Sequence, residues 1–141
     1  MIRTATCSCG QLRVTVEGEP DRVLACNCLE CQRRTGSVFG VSAYFRRAAV
    51  LQIEGEQKNL TRTAAGNLRF DTRFCPSCGS SVLWSSSALP DHLAVAVGCL
   101  ADPSFPAPAI VAWTAEKHRW VGFPASCRSF EGSAFLAEHE P

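Results

Sequence analysis

The sequence has no long apolar run, no surplus of either charge and little charge altogether. No stretch approaches the ~18 consecutive apolar residues that a membrane-spanning helix needs, and Met1 to Gly10 carry no apolar run of the kind a secretory signal uses. Fourteen Lys+Arg stand against 13 Asp+Glu, a formal net charge of +1. That balance argues against nucleic acid or a membrane surface as a partner held by bulk electrostatics. Charged residues make up 19% and apolar ones 46%, which excludes a largely disordered chain. Internal repeats and low-complexity segments are also missing. A chain of 141 residues can bury most of its apolar surface around one core. The expectation is therefore a single domain over residues 1–141 with its core at about 5–131, in the cytoplasm, with neither membrane nor nucleic-acid partners.

What the sequence has in excess is cysteine: nine in 15.2 kDa. An odd total cannot pair off completely into intrachain disulfides. The cysteines also fall in tight groups, Cys7/Cys9, Cys26/Cys28/Cys31 and Cys75/Cys78, with Cys99 and Cys127 alone. Disulfide scaffolds space their cysteines across loops. Metal-bound thiolates in a reducing compartment are the better reading.

Most of the remaining chain follows a period of two. Leu12, Val14 and Val16 alternate with polar neighbours, and in 67–74 Leu68, Phe70 and Phe74 alternate with Asn67, Arg69, Asp71 and Arg73, both patterns of half-buried strands. Val38 to Phe45 is β-branched and aromatic, and Leu93 to Val97 is continuously apolar, as in a strand buried on both faces. Val23–Cys26, Ser81–Trp84 and Ile110–Thr114 are further strand candidates. Turn residues separate these pieces: Gly18-Glu-Pro20, Gly55, Ala65-Gly-Asn67, Pro90-Asp91 and Asp102 to Pro108. One short helix is expected, Leu29 to Thr35, stopped by Gly36. The residues after Phe130 read as a loose tail. The pattern describes a mainly β, mainly antiparallel domain whose loops carry the cysteines.

Cys7-Ser-Cys9-Gly10 and Cys75-Pro-Ser-Cys78-Gly79 have the form of a four-thiolate zinc site. Each close pair supplies one edge of a tetrahedron with Zn–S near ~2.3 Å, and the following glycine lets the chain wrap its amides toward the sulfurs. Four protein thiolates leave no open position, so the role is structural. The competing reading is a redox-active Cys75–Cys78 dithiol. That motif normally opens a helix, whereas a β-hairpin is expected here.

Cys26-Asn-Cys28-Leu-Glu-Cys31 supplies three thiolates within six residues. Three can hold one face of a zinc tetrahedron while the fourth vertex takes water or a substrate atom, a thiolate being a natural choice for a borderline-soft metal. The alternative is a fourth protein ligand, for which Cys99, Cys127, His92 and His118 are all candidates. Arg33 and Arg34 could offset the net negative charge of such a site or receive an anionic substrate, against a plain solvated reading.

Taken together these motifs resemble the glutathione-dependent formaldehyde-activating enzyme (GFA, or centromere protein V-like) family. The resemblance is carried by Cys7–Gly10, Cys26–Cys31, Thr35-Gly36-Ser37, Phe74–Gly79, Val97–Pro103 and the spaced Trp113 and Trp120, and it runs to about Phe130. It implies an Mss4-like antiparallel β-sheet fold of the β-tent type with two zinc ions per chain. In that pattern Cys7, Cys9, Cys75 and Cys78 hold the structural zinc, and Cys26, Cys28 and Cys31 hold a second zinc associated with activity. It further implies a carbon–sulfur lyase that forms or cleaves a thiol–aldehyde adduct such as S-hydroxymethylglutathione, with glutathione and an aldehyde as small-molecule partners. The other reading is a non-catalytic zinc-stabilised protein-interaction domain. Two positions depart from the family pattern: Asn27 stands where many members have His between the first two cysteines of the triplet, and Ile110-Val-Ala-Trp113 lacks a His found in many late strands. Trp113 and Trp120 read as pocket lining or core, His118 as a surface residue, Arg46 and Arg47 as solvated turn residues, Cys99 as a small buried hydrophobe and Cys127 as a loop thiol.

Overall fold

The computed structural model describes residues 1–138. In chain order its strands are β1 (Ile2–Thr6), β2 (Arg13–Glu17), β3 (Arg22–Cys26), β4 (Gly40–Arg46), β5 (Val50–Glu54), β6 (Lys58–Thr63), β7 (Arg69–Phe74), β8 (Ser81–Ser86), β9 (His92–Ala96), β10 (Ile110–Ala112) and β11 (Arg128–Ser129). Two short helices accompany them, α1 (Leu29–Thr35) and α2 (Ala134–Glu138). The fold is mainly β, as the alternating pattern predicts. Among the described residues no helix is long and apolar enough to cross a membrane.

The chain forms two compact units. The first comprises Met1–Asp21 and Ala43–Phe105. Its N-terminal hairpin pairs β1 with β2 antiparallel, Ile2 opposite Glu17 and Thr6 opposite Arg13, and β5 continues from β2 with a bulge between Thr15 and Val16. The alternation read from the sequence is physical here: Leu12, Val14 and Val16 are fully buried while Arg13 and Glu17 face solvent. A second antiparallel run joins β6, β7, β8 and β9. Leu93, Ala94 and Val95 are all buried, as a continuous apolar run requires. Phe45, Val82, Leu83 and Trp84 fill the same core.

The second unit comprises Arg22–Ser42 and the chain from Pro106 onward. Here β10 lies between β3 and β11 and pairs with both in parallel, which departs from the mainly antiparallel expectation. Val23, Leu24, Ala25, Ile110, Val111 and Ala112 are buried along this short ladder. The tail read as loose contains α2, whose Ala134 and Phe135 are buried. Five residues with two apolar anchors are too few to show a helical period in sequence.

Strands β1, β5, β6 and β11 are also absent from the sequence reading. In β6, Lys58-Asn-Leu-Thr-Arg-Thr63, every residue but Arg62 is exposed and Leu60 is 62% accessible, so no buried face imposes a pattern. The packing differences have a direct consequence. Phe45→Ala empties a fully buried position and should cost about 3–5 kcal/mol in urea denaturation, whereas Leu60→Thr should stay within about 0.5 kcal/mol of wild type.

Candidate metal centres

Hairpin turns position the first cluster. Cys7 and Cys9 lie in the connection from β1 to β2, and Cys75 and Cys78 in the connection from β7 to β8. Each turn closes the same way: the Gly10 N–H donates to the Cys7 carbonyl at 3.0 Å and the Gly79 N–H to the Cys75 carbonyl at 2.8 Å. Both glycines take left-handed φ values, +86° and +79°. Nothing lies within 4 Å of the position a Cβ would occupy at either, so backbone conformation and not crowding selects glycine there. The two turns are tied together where Ser80 Oγ accepts the Ser8 N–H at 3.1 Å and donates to Ser8 Oγ at 3.2 Å.

The four sulfurs all lie within 4.8 Å of one another. Cys9 Sγ is 3.6 Å from both Cys7 Sγ and Cys75 Sγ, close to the ~3.8 Å edge of a tetrahedron built on ~2.3 Å metal–sulfur bonds. Their surroundings favour thiolates. Cys7 Sγ accepts the Leu12 N–H at 3.2 Å, and Cys75 Sγ accepts the Ser77 and Cys78 N–H groups and the Gln11 side-chain amide, the last at 3.0 Å. Hydrogen bonds from the Ser80 hydroxyl and from the Ser80 and Cys9 backbone pull the Cys78 thiol down to about 5. Against the effect of burial, the Gln11 amide and the two backbone donors also lower Cys75. Cys9 goes the other way, to about 11: the Gln11 N–H lowers it, but sharing with Cys7, burial and the neighbouring Cys75 and Cys78 sulfurs outweigh that donor. The donor set, spacing and amides fit a bound metal ion.

The second cluster belongs to a strand-to-helix junction. Cys26 ends β3, Cys28 caps the N-terminus of α1 and Cys31 lies in its first turn. Cys28 has extended backbone (φ −60°, ψ 152°) and its Sγ accepts the Cys31 N–H at 3.3 Å, so the helix cap itself brings these two sulfurs together. All three Sγ atoms lie within 4.8 Å of one another. Cys26 is held far above the ordinary thiol range by sharing with Cys28 and Cys31 and by burial. At Cys31 the hydrogen bond with Cys26 lowers the thiol, but sharing with Cys28, burial and the charge of Cys28 raise it further, with Arg34 acting against them.

Asn27 shows why a residue other than His is accommodated between the first two cysteines. It is wholly buried, its backbone N–H and its Nδ2 both donate to the Ala112 carbonyl, at 3.1 and 3.0 Å, and its own carbonyl accepts Gln32 Nε2 at 2.8 Å. It therefore brackets the cysteine loop to β10, leaving its Oδ1 buried without a hydrogen-bond partner. Gln32 Nε2 also reaches the Glu116 carbonyl at 3.1 Å, and Glu116 Oε2 accepts the Leu29 N–H at 2.7 Å. His118 Nε2 meets Gln32 Oε1 at 3.0 Å, and since that oxygen can only accept, Nε2 carries the hydrogen.

None of the four alternative ligands joins the triplet among the described residues. Cys99 donates to the Ser81 carbonyl, Cys127 to the Pro108 carbonyl, His92 pairs with Asp21 at 2.8 Å, and His118 is taken by Gln32. Cys99 is half-buried, less enclosed than a core hydrophobe. Trp120, read as core or lining, is 76% exposed and packs edge-on to His118, while Trp113 sits half-buried at φ +56°. Arg46 pairs with Asp21 and Arg33 with Glu30. The sequence reading missed Gln11, Ser80, Gln32 and Glu116. Gln11 lies two residues after Cys9, but Glu116 reaches α1 from 87 residues away and leaves no local signal.

The profile of the family described as glutathione-dependent formaldehyde-activating enzyme matches residues 2–116. The chain belongs to that family. No curated relative matches it. A crystal structure of a Rhodobacter sphaeroides protein is similar with a TM-score of 0.53 and 22% identity, covering 71% of this chain and 91% of that one. That likeness concerns the fold alone. In this family member both cysteine clusters could hold a metal ion.

Metal loading displaces the protons that the thiols hold, so raised thiols bind less well as pH falls. Cys26 and Cys31 are both raised, whereas in the four-cysteine cluster Cys9 is raised but Cys75 and Cys78 are lowered. Acid titration of the metal-loaded chain with a chromogenic chelator should therefore show two phases, the triplet emptying first and the four-cysteine cluster only at lower pH.

Proposed function

We propose that the chain is a zinc-dependent carbon–sulfur lyase that forms or cleaves the adduct of a small thiol such as glutathione with an aldehyde. Residues 1–141 act as one GFA-type domain, the family match running through segments of both compact units. The observation that carries this reading is the unequal ligand count among the described residues: four clustered thiols at one centre and three at the other, with Cys127 and His118 hydrogen-bonded elsewhere. Four thiolates complete a structural zinc, Cys7, Cys9, Cys75 and Cys78. When bound at Cys26, Cys28 and Cys31, zinc supplies a Lewis-acid centre with one vertex for a ligand from solution.

The chain's own contribution there is rigidity and exclusion of competitors. The α1 cap sets the Cys28–Cys31 spacing, and the Asn27 bracket to Ala112 fixes the loop between Cys26 and Cys28. Gln32 and Glu116 pin the start of α1, so His118 and Glu116 are held away from service as a fourth ligand. In the forward direction the thiol loses its proton, the sulfur attacks the carbonyl carbon, and the former carbonyl oxygen gains a proton as the C–S bond forms. Cleavage is the reverse.

Metal analysis and exchange kinetics test the reading together. Wild type should carry two zincs and accelerate exchange of labelled formaldehyde into its glutathione adduct, followed by NMR. Cys28→Ser should lose one zinc and the acceleration while its melting temperature falls by less than about 4 °C. Cys78→Ser, which opens the structural centre, should drop it by roughly 10 °C or more. Equal destabilisation by both would make the second centre structural and support a zinc-stabilised interaction domain instead. A reversible Cys75–Cys78 disulfide with little bound metal would support the redox reading.

A further inference from the structure

Two adjacent arginines close α1, and the fold treats them differently. Arg33 is exposed and its guanidinium is taken by Glu30 at 3.0 Å on the outer surface of the helix. Arg34 is half-buried and turns toward Gly40, the first residue of β4. A Cβ at Gly40 would lie 2.9 Å from Arg34 Nη2, 3.4 Å from Thr35 Cγ2 and 3.9 Å from Cys31 Cβ. The guanidinium and the Cys31 side chain thus flank a single point, and the missing side chain of Gly40 is what leaves room for Arg34 there. Arg34 also lies three residues after Cys31, on the same side of the helix.

We propose that Arg34 is the charge-compensating residue of the three-cysteine centre and makes it select an anionic ligand, a thiolate, over a neutral one. The inference rests on the proposed function, in which a ligand from solution joins Cys26, Cys28 and Cys31. Three thiolates and a divalent metal ion carry a net charge of −1, so a fourth thiolate meets repulsion unless a cation stands close by. Arg34 supplies that cation at a fixed position, its guanidinium and the Cys31 side chain both flanking the Gly40 slot. A neutral ligand gains little from the same charge. Arg34 is therefore a positioning and specificity residue that acts through the electrostatics of the centre, without contact with the reacting atoms being required. Because Gly40 shapes the slot, the position of the charge matters as well as its presence: a methyl group there must displace the flexible end of Arg34.

The test uses the full chain loaded with cobalt(II), whose visible absorption reports each ligand that joins the centre. The probes are 2-mercaptoethanol, a thiol with no carboxylate of its own, and imidazole, a neutral ligand. Arg34→Gln should keep both metal ions, bind 2-mercaptoethanol roughly ten- to a hundredfold more weakly and bind imidazole as wild type does. Arg34→Lys should recover part of the thiol affinity, Gly40→Ala should fall between wild type and Arg34→Gln, and Arg33→Gln should change neither. Equal losses for both probes, equal effects of Arg33→Gln and Arg34→Gln, or unchanged thiol binding in Arg34→Gln would each overturn the assignment. If the wild-type spectrum responds to neither probe, it is the proposed ligand-accepting centre that fails, and the role of Arg34 fails with it.

Discussion

Bringing ionisable sulfurs to within 4.8 Å of one another in each cluster is the constraint on which the rest of this protein depends. Thiolates at that spacing repel, and thiols at that spacing compete for one another's protons. Each cluster is therefore held by backbone that would keep its form for other reasons. Hairpin turns closed by Gly10 and Gly79 hold one, and a helix cap holds the other. The antiparallel ladders of the first unit carry Cys7 and Cys75 as buried residues, and the parallel ladder of the second ends at Cys26. Regular β pairing converts short sequence motifs into fixed sulfur positions, and a bound metal ion would convert the repulsion into bonding.

The two centres differ in the hydrogen bonds their sulfurs are shown to receive. Amide N–H groups and the Gln11 side chain crowd around the four-cysteine cluster, lowering Cys75 and Cys78 and prearranging thiolates. In the three-cysteine cluster Cys28 Sγ accepts the Cys31 N–H, and Cys26 and Cys31 are on balance raised by their neighbouring sulfurs and by burial. A centre rich in its own hydrogen bonds suits permanent closure. The proposed division between a structural and a reactive metal would follow from this contrast.

Much of the architecture was legible because burial imposes periodicity. Leu12, Val14 and Val16 alternate because one face of β2 is buried, and Leu93 to Val95 are continuous because both faces of β9 are. The cap at Cys28 and the stop at Gly36 put α1 where the sequence places it, Leu29–Thr35. Legibility ends where burial ends. In β6 the side chains face solvent and Leu60 looks like any loop residue, and the two exposed residues of β11 are too few to show a period. The exposed Trp120 shows the reverse error, since a large aromatic is read as core unless its neighbours are known.

By itself the sequence determined which sulfurs group together and how many each group contains, because Cys-x-Cys and Cys-x-x-Cys spacings lie within the reach of one turn or one helix cap. It also determined that the chain is mainly β, because alternation reports a half-buried face. Tertiary structure alone decided which other side chains serve those sulfurs. Gln11 reaches Cys75 and Glu116 reaches the start of α1 across long stretches of chain, and Arg34 turns toward the space left at Gly40. Short-range spacing is encoded in the covalent chain, whereas donors and charges act through space and acquire their partners only once the strands have paired.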